Sequence, residues 1–140
     1  MDINNITQKL KKKGYRNSIN RDSIIEILEE RNLPLSTDEL IKELNSLGLH
    51  PNKTTVYRDI YVLLGENFIN EVDLLDGKKR YEINRRHHHH FICTKCKDIS
   101  CVETENDLDN LETKIEKEQG FKIKSHVLEF FGLCRKCKKD

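Results

Sequence analysis

Apolar residues recur every three or four positions through residues 3–64, a spacing that predicts amphipathic helices packed around one core. Helices are predicted at residues 3–13, 20–30 and 53–64, and Gly14 suits the end of the first one. Another helix is predicted between Ser36 and Gly48, because Ser36 and Glu39 match a capping box. Its buried face is predicted to consist of Leu40, Ile41, Leu44 and Leu47.

The helix predicted at residues 53–64 has two unlike faces. Its apolar side chains, which should face the core, are Val56, Ile60, Leu63 and Leu64. The residues left facing outward are Thr54, Thr55, Tyr57, Arg58 and Tyr61. In a helix that lies in a major groove, arginine reads guanine and hydroxyl groups contact phosphates. The outward face therefore favours DNA binding, although an amphipathic helix with incidental aromatic residues has the same pattern.

After these helices the pattern changes to short strands. Two strand-like runs, residues 68–74 and 79–83, are joined through Asp76-Gly77, a dipeptide typical of hairpin turns. Three helices, a longer exposed helix and a hairpin in this order match a winged helix-turn-helix. Residues 1–84 are therefore interpreted as a winged-helix domain that binds double-stranded DNA.

The second half of the chain mixes strand-like and helical patterns. A hinge is predicted at residues 85–90, and a second domain at residues 91–140. Strands are predicted at residues 88–93, 99–102 and 121–131, with a helix at 106–119 that Gly120 ends. The resulting fold class is α+β, with a second unit too small for a comfortable core of its own. We therefore expect an intermolecular sheet that makes the protein a homodimer.

Composition narrows the classes of protein that fit. Hydrophobic residues make up 36% and charged residues 35% of the 140 residues, which is typical of a soluble globular chain. No apolar run approaches the ~20 residues of a membrane span, and the N-terminus lacks a signal-peptide pattern. We therefore expect a cytoplasmic protein that does not bind membranes. In that reducing compartment paired cysteines hold metal more often than they form disulfides.

Two Cys-x-x-Cys pairs predict a metal site in the second domain. Each pair presents two thiolates, and two pairs together complete a tetrahedron around Zn²⁺. A closed site of four thiolates has no open position for chemistry, so this zinc is predicted to be structural. Redox-active pairs are the alternative, but both pairs follow predicted strands rather than start helices. The predicted structural ligands are Cys93, Cys96, Cys134 and Cys137.

Four consecutive histidines run directly into the first of these cysteine pairs, an interior position that argues against an expression tag. Successive residues of a strand point to opposite faces, so alternate histidines should supply two separate metal sites. One predicted set is His87, His89, Asp109 and His126. The other, predicted to be regulatory, is Glu82, His88 and His90, with Cys101 as either a further ligand or a small buried apolar residue. Imidazole and carboxylate donors suit zinc, iron or manganese.

Taken together, these motifs resemble the ferric uptake regulator (Fur) family of bacterial metal sensors. The resemblance is carried by residues 14–21, 54–58, 87–96 and 125–137, which cover nearly the whole chain in order. It implies a dimeric, metal-dependent DNA-binding repressor with an N-terminal winged helix and a C-terminal dimerisation domain. It also implies that Thr55, Tyr57 and Arg58 lie in the recognition helix, and that Arg16 lies near the DNA.

Three departures from the family pattern bear on the choice of metal. Pro34 stands where many iron and peroxide sensors have a regulatory histidine, and His89 and Cys101 stand at usually acidic positions. Fewer oxygen donors and more imidazole and sulfur favour the softer ion zinc. The protein is therefore interpreted as similar to zinc uptake regulators that control metal-uptake genes. An iron- or manganese-responsive or peroxide-sensing regulator is the alternative within the family.

Two other classes of protein share some of these features. Histidines with a carboxylate are also found at the metal of hydrolytic enzymes, but no side chain is obviously placed as a base or nucleophile. A metal-storage protein needs the histidines but not the helix at residues 53–64. The sequence therefore predicts a regulator that is not an enzyme and has no small-molecule substrate. Metal joining Glu82 to His88 and His90 is predicted to hold the two DNA-binding domains at the spacing of two half-sites.

Overall fold

The computed structural model describes residues 3–85, 87–103 and 107–139. The chain divides into two compact units, Met1–Arg85 and Arg86–Asp140. The dividing point falls at the start of the predicted hinge, whereas the predicted domain limits at residues 84 and 91 stay predictions. Within the described ranges, no helix has both the length and the apolar character needed to cross a membrane.

The first unit combines helices with a small antiparallel sheet. Its helices are α1 (Ile3–Lys12), α2 (Ile19–Arg31), α3 (Thr37–Ser46) and α4 (Lys53–Gly65). Its strands are β1 (Leu35–Ser36), β2 (Ile69–Asp73) and β3 (Lys79–Ile83), in the order β1-β3-β2. The predicted helices and the hairpin are thus confirmed, and β1 is a strand that the sequence pattern did not predict.

Local sequence explains where these helices begin. The side chain of Ser36 accepts a hydrogen bond from the Glu39 amide, and the Glu39 carboxylate accepts one from the Ser36 amide at 2.7 Å. This reciprocal pair is the predicted capping box. Asn52 caps α4 in the same way, because its side-chain oxygen accepts from the Thr55 amide at 2.8 Å.

The core of the first unit lies between the helices and the sheet. Its fully buried side chains include Ile24, Leu40 and Ile60. One predicted core residue is wrong: Leu47 is 57% exposed, because α3 ends at Ser46 and Leu47 is its C-cap rather than part of its inner face. The inner face of α4 differs from the prediction at two positions, because Leu64 is only half-buried and Asp59, which was not predicted there, is buried.

The second unit is built on a mixed sheet. Its elements are β4 (His89–Cys93), β5 (Ile99–Val102), α5 (Asp107–Gln119), β6 (Glu129–Gly132) and a final 3-10 turn (Cys137–Lys139). The strand order is β5-β4-β6, with β5 antiparallel and β6 parallel to β4. The strand predicted at residues 121–131 is wrong over residues 121–128, because pairing with β4 starts only at Glu129, opposite His90.

Candidate metal centres

The cysteine centre lies where two neighbouring strands end. Cys93 is the last residue of β4, and Cys134 follows β6, which runs parallel beside it. Both Cys-x-x-Cys turns therefore follow the carboxyl ends of two parallel strands, at the same end of the sheet. The sulfur atoms of Cys93, Cys96, Cys134 and Cys137 lie within 4.8 Å of one another. The structure thus brings together the residues predicted to hold a structural metal, in a donor set that fits tetrahedral Zn²⁺.

Backbone amides make this centre receptive to a cation. The Cys134 amide donates to the Cys93 sulfur at 3.3 Å. Hydrogen bonds from the Cys134 and Cys96 amides lower the pKa of Cys93 to about 6. Burial, followed by hydrogen bonds to neighbouring thiols, raises the pKa of Cys137 to about 12. Metal binding at this centre therefore requires the release of protons from the sulfur atoms that are still protonated.

The second cluster consists of His89 in β4, His87 just before that strand and His126 on the segment before β6. Their ligand atoms lie within 4.8 Å of one another, and the Nε2 atoms of His87 and His126 are 2.7 Å apart. His89 is only 2% exposed, and its Nε2 has no hydrogen-bond partner among the described residues. A buried nitrogen lone pair without a partner is costly unless it binds an ion, so this cluster fits a metal.

The carboxylate that contacts this cluster is not the predicted one. Glu112 lies 2.6 Å from Nδ1 of His126, measured from its Oε1. Asp109 is exposed and is not grouped with the histidines. Glu112 lies almost one turn further along α5 and has a longer side chain. It is therefore Glu112, and not the predicted Asp109, that contacts this cluster.

The third cluster combines residues of β4, of β5 and of the segment just before β4. The ligand atoms of His88, His90 and Cys101 lie within 4.8 Å of one another, and His90 is paired with Cys101 across β4 and β5. Between the two interpretations of Cys101, this placement favours a ligand over a small apolar residue. Glu82 is buried in the first unit, and its predicted role in this site stays a prediction.

The residues predicted to contact DNA lie at the surface of the first unit. Arg16, Thr54, Tyr57 and Arg58 are exposed, and Thr55 is half-buried. Tyr61, on the same outward face of α4, is 69% exposed. Asp59, whose place between Arg58 and Ile60 gave no sign of its role, is buried and forms an ion pair with Arg21. The outward face of α4 thus carries hydroxyl, aromatic and guanidinium groups and no carboxylate.

Burial of His89 should make the folded protein sensitive to acid. Burial, reinforced by the neighbouring His87 and His126, lowers the pKa of His89 below its ordinary 6.5. As the pH falls below 6.5, the His89 imidazole of the unfolded chain binds a proton, whereas burial opposes protonation in the folded chain. The free energy of unfolding is therefore unaffected by His89 above pH 6.5 and decreases as the pH falls from 6.5 towards the folded-state pKa. We expect urea denaturation of protein without metal at its histidines to show this loss, and His89→Gln to reduce it. Equal stability above and below 6.5 would contradict the prediction.

Known regulators resemble this chain in both sequence and fold. The model of the ferric uptake regulator family matches residues 12–131. A ferric uptake regulation protein of Bacillus subtilis is 31% identical over 96% of this chain and 93% of its own length. The peroxide-responsive repressor PerR of Staphylococcus epidermidis is 26% identical over 94% of this chain and 87% of its own length. The structure of the Helicobacter pylori regulator Fur, described with three functional metal binding sites, has a TM-score of 0.83 at 27% identity, covering 99% of this chain and 92% of that one.

This likeness extends over both units of the chain and confirms the predicted α+β fold class. The first unit is the N-terminal DNA-binding domain of that fold, and the second is the C-terminal dimerisation domain with its cysteine cluster. The chain therefore belongs to the ferric uptake regulator family of metal-responsive, DNA-binding transcriptional regulators, which are not enzymes.

Proposed function

We propose that this protein is a zinc-responsive repressor of metal-uptake genes, acting in the cytoplasm as a homodimer on double-stranded DNA operators. The observation that carries the proposal is the cluster of His88, His90 and Cys101. Thiolate and imidazole donors suit Zn²⁺, whereas Mn²⁺ prefers carboxylate, carbonyl and water oxygen. An iron- or manganese-responsive or peroxide-sensing regulator is the alternative, and the similarity to a ferric uptake regulation protein and to a peroxide-responsive repressor supports its iron and peroxide forms.

We assign a different role to each of the three candidate metal centres among the described residues. We assign the closed four-thiolate centre to a structural Zn²⁺, since such a centre leaves no position for exchange. The cluster of His88, His90 and Cys101, with Glu82 as the predicted further ligand, is assigned to the regulatory metal. The cluster of His87, His89 and His126 is assigned to an additional metal, with Asp109 no longer required as a ligand.

The outward face of α4 is the proposed DNA-reading surface. Arg58 and Tyr57 project from the same exposed face as Thr54, and none of them is needed for the core. Arginine gives bidentate contacts to guanine in the major groove, and hydroxyl groups contact phosphates. Arg16 is exposed at the N-terminal end of the same unit, where it is proposed to contact the DNA backbone.

Exposed apolar residues of the second unit support the proposed homodimer. They lie on α5, on the segment before β6 and on or just after β6, and they are Leu111, Phe121, Val127, Phe130, Phe131 and Leu133. So many exposed large apolar side chains on a small unit are usually covered by a partner. A second copy of the chain is the partner that a two-fold regulator of paired half-sites requires.

Metal binding is proposed to act by shifting a population of conformations. Glu82 belongs to the first unit, and His88 and His90 belong to the second. A metal that binds all three favours the arrangement in which the two DNA-binding units fit neighbouring half-sites. Moving such an equilibrium from 1:99 to 99:1 takes about a 10⁴-fold preference of the metal for one arrangement.

The proposal is tested by operator binding titrated separately with buffered Zn²⁺, Fe²⁺ and Mn²⁺ on a DNA fragment from the protein's own promoter. We expect Zn²⁺ to tighten binding at the lowest free concentration. His88→Ala should abolish the response while the zinc of the cysteine centre and the dimer remain. Arg58→Ala is the control, because it should weaken binding at every metal concentration.

Two results would contradict this assignment. A His88→Ala protein that still responds to zinc would show that the regulatory site lies elsewhere. A response to Fe²⁺ or Mn²⁺ that is stronger than the response to Zn²⁺ at equal free concentration would replace zinc by the alternative metal.

A further inference from the structure

We propose that Glu112 and Glu129 are positioning residues, each of which orients one ligand histidine without binding the metal itself. Glu112 serves the cluster of His87, His89 and His126, and Glu129 serves the cluster of His88, His90 and Cys101. Sequence spacing did not indicate either residue. The inference rests on the proposed function only in treating these two clusters as metal centres.

Glu129 is held against His90 by two contacts. Its Oε2 accepts a hydrogen bond from the His90 amide at 3.1 Å, and its Oε1 lies 3.3 Å from Nδ1 of the same residue. Both side chains are largely buried, because Glu129 is 12% exposed and His90 is 3% exposed. The two residues are register partners on the parallel strands β4 and β6, so the sheet itself fixes the contact.

Glu112 makes the corresponding contact to the other cluster. Its Oε1 lies 2.6 Å from Nδ1 of His126, while Nε2 of that imidazole faces Nε2 of His87 at 2.7 Å. The two nitrogens of an imidazole ring point in diverging directions. A carboxylate on Nδ1 is therefore on the far side of the ring from a cation on Nε2, which is the geometry of an orienting group rather than a ligand.

The chemistry of a carboxylate at this position is well defined. When the Nδ1 proton is donated in a hydrogen bond to the carboxylate, the lone pair lies on Nε2 and the orientation of the ring is fixed. The hydrogen bond also makes Nε2 a more basic ligand for a metal. The carboxylate also supplies charge. The cluster with Cys101 offers one thiolate, and Glu129 adds a further negative charge beside it. The cluster of three neutral imidazoles has no anionic ligand among the described residues, and Glu112 is its nearby negative charge.

The test uses the full-length protein with zinc in the cysteine centre, titrated with Co²⁺ in place of the regulatory metal. His87→Ala isolates the Cys101 cluster, which gives a thiolate-to-cobalt absorption band, and Cys101→Ser isolates the three-histidine cluster, which does not. Glu129→Gln should weaken Co²⁺ binding about 10–100-fold at the first cluster and leave the second unchanged. Glu112→Gln should do the reverse, so each variant is the control for the other.

Three outcomes would overturn the inference. One is unchanged affinity in both variants, and another is equal weakening of both clusters, which would indicate a general structural role. The third is loss of one oxygen ligand in the X-ray absorption spectrum of the affected cluster, which would make the glutamate a ligand. The experiment is separate from DNA binding. If cobalt binds as expected but operator binding never responds to metal, the proposed function fails and the positioning role stands.

Discussion

Cys93→Ser is expected to remove the structural zinc and unfold the second unit. Among the described residues of this unit, Ile92 and Cys93 are the apolar side chains that are buried, so very little hydrophobic core supports it. Structural Zn²⁺ contributes an apparent 10–16 kcal/mol or so to folding in zinc-finger peptides at neutral pH. Loss of one of four ligands, at the most buried position of the centre, should therefore cost most of the stability of the unit.

The measurement is the zinc content of the purified protein together with its thermal denaturation and its oligomeric state. Cys93→Ser should bind less zinc, melt at a lower temperature and lose the dimer. Cys101→Ser is the matched control for the melting curve and the dimer, because it also removes a thiol from the second unit but lies outside the four-sulfur centre. A Cys93→Ser protein with full zinc content and an unchanged melting curve would show that the centre is not structural.

The parts of the fold that could be predicted are those encoded by short-range patterns. The capping box at Ser36 and Glu39 is a contact between residues three apart, so the sequence contains all of it. The two histidine clusters follow from alternation along an extended segment, which groups His87 with His89 and His88 with His90, although β4 itself starts only at His89. The two Cys-x-x-Cys spacings also predict the cysteine centre, once a metal site is preferred to a redox-active pair.

What could not be predicted depends on how distant segments meet. The rotation of α5 against the sheet decides whether Asp109 or Glu112 contacts His126, and helical periodicity on a mostly polar helix does not fix that rotation. Glu129 contacts His90 only because β6 is parallel to β4 in this register. The short strand β1 likewise exists because β3 offers it a partner, whereas two residues carry no periodicity of their own.

Asp59 is the buried acid of the proposed recognition helix, and its contacts connect α4 to α2. Its Oδ1 accepts hydrogen bonds from Nε and Nη2 of Arg21 at 3.1 and 2.9 Å, and its Oδ2 accepts one from the hydroxyl of Ser18 at 2.7 Å. Asp59 is 3% exposed and Arg21 8%. Ser18 is also the N-cap of α2, so one carboxylate fixes the start of that helix and the inner face of α4 together.

Asp59→Ala is therefore expected to lower the free energy of unfolding of the first unit by about 3–5 kcal/mol, because it leaves the Arg21 charge buried without compensation. Urea denaturation measures the loss, and operator binding should fall with it since Tyr57 and Arg58 lie beside Asp59. Asp38→Ala is the control, because its ion pair with Lys53 is exposed and its loss should leave the free energy of unfolding nearly unchanged. Replacing both partners, Arg21→Met with Asp59→Leu, should recover most of the stability, and a double variant no more stable than Asp59→Ala would refute the buried-charge explanation.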